Sequence, residues 1–409
     1  MTTIVRPSPR PAGKGAGKPR VVVSVKRLFH AESAQYVLMV ATVFFLVVFG
    51  LVMVLSSSFV GSALGNGGNF FATFLRQAMW AFLGIPLMLI ISRVSPIAIK
   101  RATPMIFLSA LLLQGLVFTP LGISSGGNTN WVNIAGFTGQ PSELLKVALI
   151  IWMATILSDR LDDVRDYRTF LKPLAVGVLA ALALVVAGKD LGTMAVIAMI
   201  ALGVVFLAGM RLSHMAVIIG GMSAALAVLA LASPSRVNRI MTWFSGCTED
   251  DYMNTCWQIV HSTFALGSGG IFGVGLGNSR AKWSWLPAAE TDFIFAIVGE
   301  ELGLVGTSIV IAAFVVLAFA MAKLVQRQQD PFARLITGGV MVWLIGQALV
   351  NIAVVLELLP VLGVPLPFMS VGGSALLSSL MAVGVVMAVN RSGSESVTDY
   401  RLRRRASAR

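Results

Sequence analysis

Apolar residues run along this chain in stretches near 20 residues long, separated by shorter polar segments. A run of that length spans a bilayer as an α-helix, which satisfies its own backbone in lipid without help from neighbouring segments. The runs predict spans at roughly 36–57, 73–92, 103–120, 143–158, 171–188, 191–210, 213–232, 292–322, 335–359 and 371–390. The expected fold class is an all-α polytopic membrane protein of about ten transmembrane helices, with a large extracytoplasmic loop between helices 7 and 8. In this division 35–391 is the transmembrane domain and 233–291 its large outer loop. The flanking basic segments 1–34 and 392–409 are expected to be disordered cytoplasmic tails.

Three polar stretches interrupt the apolar pattern: 121–142, 233–291 and 360–374. The last, PVLGVPLPFMSVGGS, is too rich in Pro and Gly to be helix. Broken backbone at membrane depth is tolerated where it is buried in protein or lines a cavity, so these segments are where a site is sought. There is no short internal repeat.

Composition agrees with the pattern. Of 409 residues, 56% are hydrophobic and 12% charged, with mean hydropathy +0.85; a soluble domain carries about 25% charged residues. A formal charge of +13 would suggest nucleic acid in a soluble protein, but here 24 of the 31 Lys and Arg fall in the tails and in the loops on one side. That asymmetry follows the positive-inside rule, puts both termini in the cytoplasm and removes nucleic acid as a partner. The basic stretch Met1–Arg20 is followed by a run long enough to span, with no cleavage site of a secretory signal.

Soluble catalytic motifs are missing. His30, His214 and His261 are scattered and make no zinc signature, and there is no Walker loop. Gly267-Ser268-Gly269-Gly270, with Gly273, Gly275 and Gly277, superficially suggests a phosphate loop. It does not sit between a strand and a helix, so the dinucleotide reading fails. It reads either as a flexible turn or tight helix packing, or as a nest of N–H groups for an anionic head group. Cys247 and Cys256 bracket CTEDDYMNTC; a disulfide is expected on the outer side, with two unpaired thiols as the alternative. Ionisable groups near the membrane usually pair or work. Glu143 and Lys146, one helical turn apart, are placed to pair. Asp190 and Thr193 sit at a helix start. Asp292 opens span eight, either as a carboxylate favoured by the helix dipole or as a catalytic group. Glu300 and Glu301 lie about 12 Å deeper and point elsewhere, so they are expected to be structural.

Taken together, these residues resemble a known family. WLPAAETDFIFAIVGEELGLVG (285–306) follows WQIVHSTFALGSGGIFGVGLGNSRAK (257–282). QPSELLKVALI (140–150) precedes both, and LVNIAVVLELLPVLGVPLPFMSVGGSALL (349–377) comes after them. From about 35 to 391 the chain resembles the SEDS family (shape, elongation, division, sporulation) of peptidoglycan glycosyltransferases. The long basic N-terminal tail and GLVMVLSSS of span one are more similar to its division branch than to its elongation paralogue. The resemblance implies a ten-helix bundle that polymerises lipid II into glycan strands at the division septum of a bacterial cytoplasmic membrane. It implies a class B penicillin-binding protein and other divisome membrane proteins as partners. The family's essential acidic residue, the Asp of its T-D-F motif, falls on Asp292. The cavity is expected to be bordered by Trp131, Glu143, Pro367 and Ser370, with Lys146, Arg236, Arg239 and Lys282 as candidates for the diphosphate and Gly269 and Gly270 as backbone donors.

The sequence departs from the family pattern at Asn130, where Arg is frequent before Trp131, at Lys189, where Pro is usual, and at Glu290, where His is frequent. The Cys-bracketed insertion is also uncommon. The chemistry needs few groups: a sugar on a lipid diphosphate already has a good leaving group, so one carboxylate suffices as base. Charge on the leaving group is stabilised by Lys, Arg or a divalent cation, Mg or Mn. A lipid II flippase, an elongation-type polymerase and a scaffold for division partners are the other readings.

Overall fold

The computed structural model describes residues 33–406 except 66, 126–127, 135, 160–166, 232–233, 247–255 and 284–285. The N-terminal tail 1–32 and Cys247 therefore lie outside the described residues. Twelve helices are described: α1 (Ala34–Gly65), α2 (Ala72–Ile91), α3 (Pro96–Gly115), α4 (Pro141–Ser158), α5 (Tyr167–Ala187), α6 (Leu191–Leu207), α7 (Leu212–Leu231), α8 (Pro234–Ser245), α9 (Trp257–Gly269), α10 (Ile294–Arg327), α11 (Pro331–Val355) and α12 (Gly373–Ala406). Seven of them are long and apolar enough to cross a membrane: α1 to α4 and α10 to α12. Three shorter apolar helices, Pro173–Ala187, Leu191–Leu207 and Leu212–Ala225, lie where the remaining three spans are expected.

The bundle is inside-out in the way lipid demands. Phe82, Met105 and Val217 are among large apolar side chains fully presented to the surroundings on α2, α3 and α7. The interior, built on α4, α6 and α11, holds Leu145, Leu149, Ile197, Ile200, Trp343 and Leu344. The charged pair inside it is neutralised where it sits. Lys146 and Glu143 are 1% and 2% exposed and lie 2.8 Å apart, and the ammonium also reaches Gln347 Oε1 at 3.0 Å.

Two segments differ from the expectation. Residues 121–142, read as irregular, fold into a three-stranded antiparallel sheet of β1 (Gly122–Ser125), β2 (Asn128–Ile134) and β3 (Phe137–Gly139). Short runs joined by Gly-containing tips are hairpin signals that hydropathy scanning overlooks. The C-terminal tail, expected to be disordered, continues α12 through Ala406.

α10 is broken at Gly303, whose φ of 66° and ψ of −159° no helix contains. A break strands carbonyls above it and amides below it. The glycine-rich loop after α9 satisfies both sets. The amides of Val274 and Gly275 donate to Glu300 and Glu301, and those of Leu304 and Val305 donate to Gly270 and Ile271. A side chain at Gly273 or Gly303 would collide with this backbone pairing, at 2.1 and 2.4 Å respectively. The loop's glycines are therefore there for close approach.

Candidate functional site

Asp292 lies two residues before α10, half-buried, at the end of a turn in which the amides of Thr291, Asp292 and Phe293 all point to the carbonyl of Ala288. The turn needs the left-handed φ of 56° at Ala288. Backbone ties fix it to the Pro-rich loop 360–372. Ser370 Oγ donates to the carbonyl of Thr291 and accepts from the amide of Leu366. The amide of Val371 donates to the carbonyl of Glu290. Asn351 Nδ2, from α11, bridges the carbonyls of Asp292 and Val364 at 2.7 and 2.8 Å. One turn earlier on the same face, Gln347 Nε2 holds the carbonyl of Pro365 at 2.8 Å. Gln77 of α2 closes the far end, donating to the carbonyl of Ser370 and accepting from the amide of Gly372.

The first turn of α6 forms the other wall. A Cβ on Gly192 would stand 2.3 Å from the carbonyl oxygen of Leu362, so helix and loop touch through backbone there. One on Gly363 would stand 3.6 Å from Asp292 Oδ2, which places the carboxylate against the loop. Asp190 caps α6 through the amide of Thr193 at 2.9 Å. Its Oδ2 also accepts from Asn130 of β2, from Gln140 and from the Thr193 hydroxyl, at 2.8, 2.9 and 2.8 Å. The small sheet is thus pinned to the site by Asn130, the position where the family frequently has Arg. Lys189, where Pro is usual, takes φ of 62° and donates its amide to Val186; a proline ring permits neither.

Burial pushes the Asp292 carboxyl up to about 6, the negative charge of Asp190 adds to the rise, and the Arg239 guanidinium opposes it. Burial also raises Glu290.

The expected site residues fall into three groups. Asp292, Ser370 and Pro367 belong to the turn and the Pro-rich loop, where Pro367 is buried. Exposed Arg239, on α8, is close enough for Asp292 to feel its charge. Arg236 precedes it by three residues, and its side chain lies outside the described residues. Trp131 is half-buried in β2, paired in register with Ile123.

The second group is engaged elsewhere. Lys146 and Glu143 neutralise each other inside the bundle, with Trp343 under the ammonium at 4.8 Å. Lys282 is paired with Glu301 at 3.6 Å and bonded to the carbonyl of Gly277. Neither ammonium is presented to the surface beside Asp292, because a buried ion must first be neutralised where it sits. The third group is Gly269 and Gly270. A Cβ on Gly269 would stand 1.9 Å from the carbonyl oxygen of Gly299, so the end of α9 touches α10 there through backbone, and the carbonyl of Gly270 serves the helix break. Glu300 and Glu301 are structural as expected: Glu300 accepts from Ser279 and the amides of Arg280 and Ala281, and Glu301 accepts from Ser56. Cys256 is buried and disulfide-bonded.

Asn351 and Gln347 are the supporting residues that sequence reading missed. Their signal was available: two amides at i,i+4 on an otherwise apolar helix, a costly placement unless they bond. No cluster of three or more His, Cys, Asp or Glu is formed among the described residues. Asp190 has both oxygens engaged by hydrogen bonds.

The arrangement defines a polytopic membrane protein with two carboxylates raised by burial, Asp292 and Glu290, in one turn at the end of the bundle, between the Pro-rich loop and a helix start. Residues 36–395 match the family model described as cell cycle protein, for FtsW, RodA and SpoVE, and the chain belongs to that family. It is 36% identical over 365 residues to the probable peptidoglycan glycosyltransferase FtsW of Mycobacterium tuberculosis, covering 89% of this chain and 69% of that one. It is 34% identical over 363 residues to stage V sporulation protein E of Bacillus subtilis, covering 88% and 98%. The crystal structure of Thermus thermophilus RodA superposes with TM-score 0.63 at 26% identity, covering 87% of this chain and 96% of that one. A chain from a peptidoglycan synthase complex, in which polymerization and crosslinking are coordinated, superposes with TM-score 0.70 at 24% identity, covering 87% and 97%.

Proposed function

We propose that this protein is a division-type peptidoglycan glycosyltransferase that polymerises lipid II, with Asp292 as general base. The observation that carries the reading is the Asp292 carboxylate itself. It is held by its own backbone carbonyl to Asn351, raised to about 6, and within reach of the charge of the exposed Arg239. A base near that value is ionised at neutral pH yet still accepts a proton in the transition state.

In the reaction, Asp292 takes the proton of the acceptor sugar 4-hydroxyl as its oxygen attacks the anomeric carbon of the donor. The new C–O bond forms with inversion while the bond to the lipid diphosphate breaks. The departing diphosphate takes the electron pair, and Arg239 stabilises its charge. No acid is required because the leaving group is already a stable anion. The negative charge of Asp190, whose oxygens are engaged by Thr193, Asn130 and Gln140, adds to the rise of its neighbour. Both termini lie in the cytoplasm of a bacterial inner membrane, so the Asp292 face looks outward to the lipid-linked substrate and to a class B penicillin-binding protein that cross-links the product at the septum.

The test is purified protein in proteoliposomes with lipid II supplied on the outer face only. Glycan strands are expected. Lipid II that crosses the bilayer without becoming polymer would replace this reading with the flippase.

A further inference from the structure

The charge opposite Asp292 comes from α8, a helix that is not part of the bundle. Its outward positions Met241 and Phe244 are 60% and 75% exposed. The opposite stripe carries Arg239 and, four residues on, Trp243, which share one face at helical spacing. Trp243 is the residue of α8 that reaches the bundle by a hydrogen bond: its indole Nε1 donates to the carbonyl of Glu357 at 2.9 Å. Glu357 follows the C-terminus of α11, the helix whose Asn351 holds Asp292. Its φ of 62° is a left-handed conformation that a non-glycine residue adopts only when held. It is held from a second side, because its carboxylate accepts from the hydroxyl of Thr263 on α9.

We infer that Trp243 is a positioning residue: its hydrogen bond to the strained Glu357 turn latches α8 to the end of α11 and so keeps Arg239 facing Asp292 and the leaving group. The inference rests on the glycosyltransferase reading. Without the latch, α8 lies on the membrane interface by its apolar face alone, and the guanidinium is free to swing away. The function is lost by distance rather than by unfolding, since the bond ties a helix whose large apolar side chains Met241 and Phe244 stay exposed.

The test is Trp243→Phe, which keeps the ring and removes the donor. A second variant carries benzothienylalanine at 243, which also keeps the indole's shape. Both are assayed in full-length protein for lipid II turnover across pH, with thermal stability in parallel. The charged groups around Asp292 are Asp190 from the start of α6, Arg239 from α8 and Glu290 from its own turn; α11 and the Pro-rich loop bring the neutral Asn351 and Gly363. Removal of the latch weakens the cation on α8 whose charge lowers the Asp292 carboxyl. The acid limb of kcat/KM is therefore expected to move to higher pH in both variants, with a loss of about three- to tenfold at neutral pH. Arg239→Gln alone should give the same displacement, and Trp243→Phe should add nothing to it. An unmoved pH limb in both position-243 variants, or displacements that add in the double variant, would overturn the inference. Wild-type turnover in the same assay separates this failure from a failure of the glycosyltransferase reading.

Discussion

Asp292 illustrates how a side chain's chemistry is set by its surroundings as much as by its own identity. Desolvation and Asp190 favour its neutral form, and Arg239 favours its ionised form. The net rise to about 6 has a consequence for rate. A general base works ionised, so kcat/KM should be level above that pH and fall tenfold per unit below it, as the carboxylate is protonated. The measurement is initial polymerisation rate between pH 4.5 and 8.5, and a limb near the ordinary carboxylate value would remove Asp190 from the account. Sequence alone identified Asp292 by motif, and its neighbours only partly. Lys146 and Lys282 also read as candidate cations for the diphosphate, because a sequence gives the side of the membrane but not depth. The Glu143–Lys146 pair was legible from its spacing, whereas burial pairs Lys282 with Glu301, which the sequence did not show.

Among elements, the Pro-rich loop is the one on which the site depends. It has almost no regular hydrogen bonding of its own, and Asn351, Gln347, Gln77 and Ser370 supply what secondary structure would. Its wall against α6 is backbone on backbone at Gly192. Gly192→Ala should force Leu362 away, because a backbone carbonyl 2.3 Å from the new Cβ cannot rotate aside as a side chain can. Turnover is expected to fall at least tenfold while the protein still inserts, and a fully active Gly192→Ala enzyme would contradict this contact. That a loop of PVLGVPLPFMSVGGS is not helix was legible from its prolines and glycines. Where it lies was not, because contacts between residues 192 and 362 leave no local pattern. The small sheet was missed for a related reason: its strands are three to seven residues long and half polar.

At the scale of the molecule, ten apolar helices were legible because a bilayer imposes one length on all of them. The broken α10 was read as one continuous span. Its break at Gly303 is repaired by a loop some thirty residues earlier in the chain. The charge asymmetry predicts that reporters fused at Ser268 and Thr398 fall on opposite sides of the membrane; finding both on one side would invert the placement of Asp292. With that face outward, the whole account reduces to one carboxylate meeting a lipid-linked sugar. Asp292→Asn tests this most directly, measured as lipid II turnover by purified protein with thermal stability alongside. Asn keeps the size of the side chain, and the ties that hold the turn run through backbone atoms and so remain. The account predicts a normally folded protein whose polymerisation falls by about 10²- to 10⁴-fold, since an amide cannot take the proton. Near-normal turnover by a stable Asp292→Asn protein would contradict it and place the base elsewhere.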